Sequence, residues 1–368
     1  MRDETIYCSG QANSYRRRKP KMKEFYPWSK TAYEEAIAKY KEGRLSILDV
    51  QLSGKCNYNC TYCDSPNRDL PCKIDFDHLE ILIRKEPPLY QWMFICGLGE
   101  PLWAENKPAL LKLLALCREL KIKCSFFTNG SHIDEQILDY VHTGILYPII
   151  KIDTFSHELS KEIYNTPESH KTLKAMYDLF DIANDSKSEF CHVAASIVPT
   201  RKNFNEMTSI VHKCLENNVF PLLGQLEYAG NAIGNYDSLL LSREELLRLK
   251  SDISNAIGEE YKVPICPSVI AGIHIANDGW VSVDRRSGLS CSWFWLETPQ
   301  TVKLCDVNAI GTFSEADRAI IEYRKKVIRQ MIELTKQIEI HPFGGCGGNV
   351  RDLAEEYVKL QISLMNEG

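Results

Sequence analysis

Apolar residues recur with two different periods along this chain. Between about residues 46 and 230, short runs rich in β-branched and aromatic residues alternate with longer stretches in which Leu or Ile returns every three or four positions. The first pattern is typical of buried strands, and the second of helices that pack one face on a sheet. Six segments are predicted as strands: Ser46–Leu52, Trp92–Cys96, Cys124–Thr128, Tyr147–Ile152, His192–Val198 and Pro221–Glu227.

Helical stretches such as Lys107–Lys121 separate these strands, which predicts repeated βα units around a parallel sheet. A closed TIM barrel has eight such units. Six units therefore predict an α/β fold with a partial (β/α)6 TIM-like barrel. Functional residues are expected at the carboxyl ends of its strands.

The pattern changes after residue 257. Ser242–Ile257 is predicted as one more amphipathic helix, begun by a capping box of Ser242 and Glu245. Beyond it, alternating residues on both sides of Asn277–Gly279 predict a hairpin. A helix over about Ser314–Lys336 and the Gly-rich segment HPFGGCGG follow. We therefore expect an N-terminal extension (1–45), a barrel (46–257) and a small C-terminal α+β domain (258–368).

Composition changes this picture mainly by exclusion. The chain has 368 residues, 44% hydrophobic and 25% charged, with a net charge near −5, which is ordinary for a globular protein and offers no broad basic surface for nucleic acid. It shows no signal segment and no stretch of about 18 apolar residues, so we expect a cytoplasmic protein with no membrane partner. Fourteen cysteines in so long a chain indicate metal ligation or catalysis rather than a disulfide framework.

Three of these cysteines lie close together directly after the first predicted strand. In KCNYNCTYC, Cys56, Cys60 and Cys63 have C-x3-C-x2-C spacing. Three thiolates on one loop are suited to hold three irons of a cubane cluster and to leave the fourth iron without a protein ligand. The alternative is a zinc knuckle, but structural zinc normally takes four ligands, and no further Cys or His stands nearby at matching spacing.

The cysteine loop resembles the signature of the radical S-adenosylmethionine (SAM) superfamily, in which an aromatic residue, here Tyr62, precedes the last cysteine. The resemblance implies a [4Fe–4S] cluster whose open iron binds SAM. It also implies a donor such as flavodoxin or ferredoxin, whose electron cleaves SAM to a 5′-deoxyadenosyl radical. Tyr62 would lie near the adenine, although an aromatic residue in a loop can equally serve packing.

A second motif follows the second predicted strand, where CGLGEPLW is similar to the family's Gly-Gly-Glu-Pro motif. Leu98 precedes Gly99, Glu100 and Pro101 in this segment. A carboxylate beside a glycine whose backbone can approach a ligand closely is suited to receive an ammonium group. The resemblance therefore implies that Gly99 and Glu100 bind the amino group of SAM.

Polar residues also end the later strands, where the family places groups that line SAM or the substrate. These candidates are Thr128, Asn129 and Gly130 after strand three, Lys151 and Asp153 in strand four, Ser196 in strand five, and Gln225 with Glu227 in strand six. A hydrogen-bonded strand end or turn is the alternative for each of them. Glu100 is the first choice among all the SAM-binding candidates, and Ser196 the second.

Four cysteines lie in the C-terminal region. Cys266 precedes the predicted hairpin, Cys291 follows it, and Cys305 and Cys346 lie further on. This order resembles the SPASM and Twitch domains of radical SAM enzymes and implies one auxiliary [4Fe–4S] cluster with four protein ligands, as in the Twitch form. Cys305 stands where the family commonly has glycine. The alternative is that all four are unrelated buried thiols.

These observations together predict a radical SAM oxidoreductase that abstracts hydrogen from an unactivated C–H bond and passes an electron to the auxiliary cluster. The net reaction would be a dehydrogenation or an oxidative bond formation. The short segment before the first strand favours a small-molecule substrate, and a ribosomally made peptide is the second candidate. A structural zinc protein without activity is the candidate from another class. Of the remaining cysteines, Cys8 and Cys72 have no assigned role, and the others are expected in the core: Cys96, Cys117, Cys124, Cys191 and Cys214.

Overall fold

A computed structural model describes residues 22–29, 31–32, 35, 47–63, 71–84, 91–95, 99–224, 226, 230–261, 272–275, 280–284 and 301–303. The strands are β1 (Ile47–Val50), β2 (Trp92–Ile95), β3 (Lys123–Thr128), β4 (Leu146–Lys151), β5 (Ala194–Ile197), β6 (Phe220–Leu223), β7 (Gly272–Ile275), β8 (Trp280–Asp284) and β9 (Thr301–Lys303). The helices are α1 (Phe76–Ile83), α2 (Lys107–Leu120), α3 (Glu135–His142), α4 (His157–Tyr164), α5 (His170–Asp185), α6 (Met207–Glu216), α7 (Ala232–Leu239) and α8 (Arg243–Ile257). Short 3₁₀ turns span Tyr26–Trp28, Pro167–Ser169 and Phe204–Glu206.

One sheet contains all the described strands, in the order β6-β5-β4-β3-β2-β1-β7-β8-β9. From β1 to β6 every neighbouring pair is parallel, as the six βα units require. β7 joins the other side of β1 in parallel, and β8 and β9 continue the sheet in antiparallel fashion. The predicted α/β partial barrel is confirmed. The strands that flank Asn277–Gly279 pair as a hairpin does, whereas the domain boundaries at residues 46 and 258 stay predictions.

Strands of the parallel sheet are apolar on both faces because both faces are covered. In β2 all four residues are buried. Met93 and Ile95 belong to the main core cluster, which includes residues of the surrounding helices, while Trp92 and Phe94, on the opposite face of the strand, belong to a second cluster. Continuous apolar runs of this kind are typical of parallel strands. Four of the cysteines expected in the core are indeed buried, namely Cys117, Cys124, Cys191 and Cys214.

Polar side chains mark where the helices begin. The predicted capping box of α8 is confirmed, since Ser242 accepts from the Glu245 N–H and Glu245 accepts from the Ser242 N–H. The side chains of Asp75, Asp134 and Ser156 accept N–H groups in the same way at the starts of α1, α3 and α4. Such caps satisfy N–H groups that have no partner inside the helix.

The amino end of the barrel is filled by the segment that precedes β1. Phe25 forms a bridge with Cys191 just before β5, and its ring is buried with Trp92 and other aromatic residues. The Lys123 ammonium at the start of β3 lies 3.7 Å from the centre of the Tyr26 ring. Aromatic side chains fill this end of the barrel. A functional site is therefore expected at the opposite edge, where the strands end in polar residues.

Several predicted features lie outside the described residues. They are Cys8, Cys96, Leu98, Gln225, Glu227, the helix Ser314–Lys336, the HPFGGCGG segment, and the four cysteines Cys266, Cys291, Cys305 and Cys346.

Strand β6 lies at the edge of the sheet, where Tyr261 satisfies two of its backbone groups. The fully buried Tyr261 hydroxyl donates to the Pro221 carbonyl over 2.8 Å and accepts from the Leu223 N–H over 3.0 Å. One hydroxyl thus takes the place of a neighbouring strand at this point.

We therefore expect Tyr261→Phe to lower the free energy of unfolding by about 1–3 kcal/mol, because it leaves a buried donor and a buried acceptor without a partner. Tyr177→Phe is the matched control, since Tyr177 is exposed and its hydroxyl accepts from the Lys213 ammonium over 2.7 Å; it should change stability by less than about 0.5 kcal/mol. Denaturant unfolding of both variants checks this. Equal stabilities would show that Tyr261 does not stabilise the sheet edge.

Candidate active site

The three clustered cysteines lie after β1 in a loop, residues 51–63, that has no helix or strand. β1 to β6 are parallel, so the segments that follow these strands meet at one edge of the sheet. The loop is therefore surrounded by the ends of the neighbouring strands and by the helices that follow them.

Cys60 and Cys63 share one tight turn. The Cys63 N–H donates to the Cys60 carbonyl over 3.2 Å, and the Thr61 N–H donates to the carbonyl of Ile163 in α4 over 2.9 Å. On the other side, Asn231 donates its backbone N–H to the Cys63 carbonyl over 2.8 Å and its side-chain amide to the Cys60 carbonyl over 3.0 Å. The turn is thus held between α4 and the residue that begins α7.

Cys56 lies beside the end of β3. Its sulfur accepts from the Tyr58 N–H over 3.4 Å, and the Asn129 side-chain nitrogen lies 3.9 Å from the same sulfur. Asn129 also donates to the Asn57 side-chain oxygen over 2.9 Å. Donors placed around a sulfur favour its thiolate form, which is the form that binds metal.

The electrostatics of the loop favour a cationic occupant. Burial, and secondly the nearby Glu100, raise the pKa of Cys56 to about 11. Burial and the neighbouring thiols of Cys63 and Cys56 raise the pKa of Cys60 well above its usual range. Three thiolates in this partly buried site repel one another unless positive charge lies between them. The irons of a [4Fe–4S] cluster supply that charge, so the donor set fits this group. Within the described residues, no three Cys, His, Asp or Glu side chains are arranged around a single metal ion.

Gly99 contacts the start of the cysteine loop. Its φ angle is +68°, and a Cβ there would lie 2.5 Å from the Ser53 carbonyl oxygen and would also collide with the Lys55 carbonyl oxygen. The next N–H, of Glu100, donates to the same Lys55 carbonyl over 2.8 Å. The missing side chain therefore lets the chain after β2 lie against the loop, and the role of Gly99 toward SAM stays a prediction.

Glu100 joins the ends of β2 and β3. Its buried carboxylate accepts from the Thr128 hydroxyl over 2.6 Å, from the Asn129 N–H over 2.7 Å and from the Leu102 N–H over 3.0 Å. Burial raises the pKa of Glu100 to about 7, although all three donors act in the opposite direction. An ammonium group bound here would stabilise the ionised carboxylate further. That role of Glu100 stays a prediction.

Asp153 joins the ends of β4 and β5 to the cysteine turn. One of its buried oxygens accepts from the Val198 N–H over 2.7 Å, and the other accepts from the Tyr62 hydroxyl. Burial, and secondly Asp153, raise the pKa of Tyr62 well above its usual range. Tyr62 therefore serves packing and hydrogen bonding in this structure, and its place beside the adenine stays a prediction.

Ser196 and Lys151 complete the polar edge. The Lys151 ammonium donates to the Ser196 hydroxyl over 3.4 Å and lies 4.0 Å from an Asp153 oxygen. It also lies 4.7 Å from the centre of the Tyr62 ring. The structure thus brings Tyr62, Asp153 and Ser196 together around one cation and places Asn129 and Glu100 beside Cys56.

Other residues, which no motif in the sequence singles out, hold the loop from outside. The Tyr58 hydroxyl donates to the Glu168 carbonyl over 3.0 Å, and Asn231 and Asn235 bond to the cysteine turn. The four-residue spacing of the two asparagines is a visible signal for one helix face. Their partners in the turn, Cys60 for Asn231 and Thr61 for Asn235, lie 171 and 174 positions earlier in the chain, and no pattern indicates these pairings.

Comparison with known proteins agrees with this arrangement. Residues 50–201 match the Radical SAM superfamily. This segment is a radical SAM domain. It runs from the end of β1 to the loop after β5 and contains the cysteine loop, Glu100, Asp153 and Ser196. The radical SAM superfamily implies a [4Fe–4S] cluster and SAM for this domain.

Two curated relatives are similar to parts of this chain. An S-adenosylmethionine-dependent nucleotide dehydratase of Fibrobacter sp. (strain UWH6) is 25% identical over 227 residues, which are 57% of this chain and 66% of that protein. A GTP 3',8-cyclase of Xanthomonas campestris pv. campestris (strain B100) is 25% identical over 127 residues, 33% of this chain and 36% of that protein. The chain thus spans less than two thirds of the length of either relative.

Solved structures show the same fold. SuiB of Streptococcus suis, bound to S-adenosylmethionine, superposes with a TM-score of 0.58 at 16% identity, over 80% of this chain and 74% of SuiB. SuiB bound to precursor peptide SuiA gives a TM-score of 0.54 at 15% identity, over 78% and 70% of the two chains. In the part of this chain that the structure describes, no helix is long and apolar enough to cross a bilayer.

Replacing Gly99 with alanine should displace the cysteine loop of the radical SAM domain. Gly144→Ala is a matched control, because Gly144 has the same φ of +68° and no atom within 4 Å of the added Cβ. We expect G144A to cost about 1–2 kcal/mol from backbone strain alone. G99A should cost more and should also lower the iron bound after anaerobic reconstitution. Thermal unfolding and an iron assay test this, and equal effects of the two variants would refute a specific role for Gly99.

Proposed function

We propose that this radical SAM enzyme binds a [4Fe–4S] cluster through Cys56, Cys60 and Cys63, cleaves SAM reductively and oxidises a substrate at a C–H bond. The observation that carries the proposal is the cysteine turn itself, which is hydrogen-bonded on both sides by helices at the carboxyl edge of a partial barrel. The superfamily match of residues 50–201 supports it.

The chain's own residues would bind and orient the cofactors and the substrate, because side chains alone do not perform this chemistry. When bound, the cluster and SAM supply a 5′-deoxyadenosyl radical that abstracts hydrogen from an unactivated C–H bond. Asn129 places its amide beside Cys56, and Lys151 offers a half-buried cation to a carboxylate or another anionic group. The aromatic residues around Phe25 close the opposite end of the barrel.

Oxidation of the substrate radical needs an electron acceptor. We assign this role to an auxiliary [4Fe–4S] cluster held by Cys266, Cys291, Cys305 and Cys346, all of which lie outside the described residues. The pairing of β7 with β1 supports this assignment, because it brings Gly272–Ile275, six residues after Cys266, next to the strand that leads into the cysteine loop. An external donor such as flavodoxin or ferredoxin would supply the electron that cleaves SAM.

A small molecule is the proposed substrate, and the reaction is a dehydrogenation or an oxidative bond formation. Both curated relatives are named for reactions of nucleotides, which are small and anionic, and Lys151 suits an anionic group. A ribosomally made peptide is the second candidate, because SuiB shares the fold and binds a precursor peptide. Incubation with SAM, dithionite and separate panels of nucleotides and peptides distinguishes the two by product analysis.

Replacing Cys56, Cys60 and Cys63 together with alanine should abolish formation of 5′-deoxyadenosine under reducing conditions. Iron should fall from about eight to about four per chain, because the auxiliary cubane remains. Chromatographic product analysis and iron counting measure the two effects. Cys72→Ala is the matched control, since Cys72 is a half-buried cysteine outside the loop, and it should change neither.

Undiminished SAM cleavage in the triple variant would refute the assignment of this loop. A wild-type protein with only four irons, or a triple variant with none, would refute the auxiliary cluster. Colourless wild-type protein that contains zinc and no iron would favour the structural zinc protein instead.

Glu100→Gln should weaken SAM binding without emptying the cluster. The change removes a charge-assisted hydrogen bond to the SAM ammonium, worth about 1.5–3 kcal/mol. Calorimetric titration of reconstituted protein measures the affinity, and iron content verifies the cluster. Glu105→Gln removes the same charge from an exposed position five residues along the same loop and should leave the affinity unchanged. An unchanged affinity in E100Q would show that the motif does not bind the ammonium.

A further inference from the structure

Two asparagines at the start of α7 contact the main chain of the cysteine turn. The Asn231 side-chain amide donates to the Cys60 carbonyl over 3.0 Å and to the Asn59 side-chain oxygen over 2.7 Å. The Asn235 side-chain amide donates to the Thr61 carbonyl and to the Asn231 carbonyl, both over 3.0 Å. The Asn231 backbone N–H also donates to the Cys63 carbonyl. Three of the four carbonyls from Cys60 to Cys63 therefore accept a hydrogen bond from these two asparagines.

The pair is held in place by the packing of α7. Ala232, Tyr236 and Leu239 of this helix are buried in one apolar cluster with Tyr58 and Tyr62 of the cysteine loop. Residues four apart lie on the same side of a helix. The apolar positions of α7 therefore pack on the loop's tyrosines, while Asn231 and Asn235 are directed at the loop's carbonyls.

A neutral amide has a particular advantage next to these ligands. It donates to carbonyl oxygens without adding a charge beside the thiolates of Cys60 and Cys63. A lysine or arginine would also donate, but its charge would raise the reduction potential of a nearby cluster, because iron–sulfur potentials depend on local charge and hydrogen bonds. An aspartate would repel the carbonyls and the thiolates.

We propose that Asn231 and Asn235 are positioning residues for the cluster ligands Cys60 and Cys63. Their hydrogen bonds fix the orientation of the peptide groups in the turn. Through these bonds, the position of the chain that follows β6 affects how the cysteines are placed around the cluster. This inference rests on the proposed function, because it requires a cluster on the three cysteines. Outer residues that orient metal ligands typically change metal affinity by about 10–100-fold when they are replaced.

The test uses reconstituted full-length protein with Asn231→Ala, Asn231→Asp or Asn235→Ala. N231D keeps the side-chain size and removes the donor, and N235A is the milder variant should the changes at residue 231 impair folding. Asn184→Ala is the matched control, since the exposed Asn184 side-chain amide donates over 3.0 Å to another asparagine, Asn217. The measurements are iron loss to a chelator, thermal unfolding of the metal-free protein, and the electron paramagnetic resonance spectrum of the reduced cluster before and after SAM addition.

We expect the variants at residues 231 and 235 to lose iron about tenfold faster than wild type, and to show an altered spectrum in the signal that responds to SAM. N184A should match wild type in both measurements. A purely structural role would lower the unfolding temperature and leave the spectrum of the bound cluster unchanged, and that result would overturn the inference. If wild-type protein shows no SAM-responsive cluster, the proposed function fails instead, so the two failures are distinguishable.

Discussion

The loop that carries the three cysteines has no regular secondary structure, so its backbone donors and acceptors must find partners elsewhere in the chain. The rest of the site depends on this constraint. The end of β2 supplies the Glu100 N–H, α4 supplies the Ile163 carbonyl, and the start of α7 supplies Asn231. A parallel partial barrel brings these distant segments to one edge, because the carboxyl ends of its strands meet there.

Two buried carboxylates stabilise that edge. Glu100 accepts from the backbone at the end of β3, and Asp153 accepts from the backbone after β5 and from Tyr62. Burial of a carboxylate costs free energy unless donors offset it. Glu100 accepts three hydrogen bonds and Asp153 two, which reduce that cost. The resulting network links four strand ends to the cysteine turn. It also explains why residues expected to contact SAM have partners within the protein.

The two ends of the barrel differ in chemistry because different residues occupy the two ends of each strand. At the amino end, Lys123 lies against the Tyr26 ring, and burial lowers its pKa. At the carboxyl end, Lys151 lies among an acid, a hydroxyl and an aromatic ring. The first end is closed by aromatic packing, whereas the second offers a cation at the same edge as the cysteines. The proposed chemistry belongs to the second end.

The sequence by itself determined the six parallel strands, the capping box of α8, the burial of Cys117 and Cys214, and the cysteine spacing, because each depends on residues close together in the chain. Tertiary structure alone decided that Gly99 lies against Ser53 and Lys55, that Tyr62 donates to Asp153, and that Asn231 bonds to Cys60. These partners are separated by tens to hundreds of residues. Periodicity and spacing describe only neighbours along the chain, whereas such contacts depend on the path that packing gives to the whole backbone.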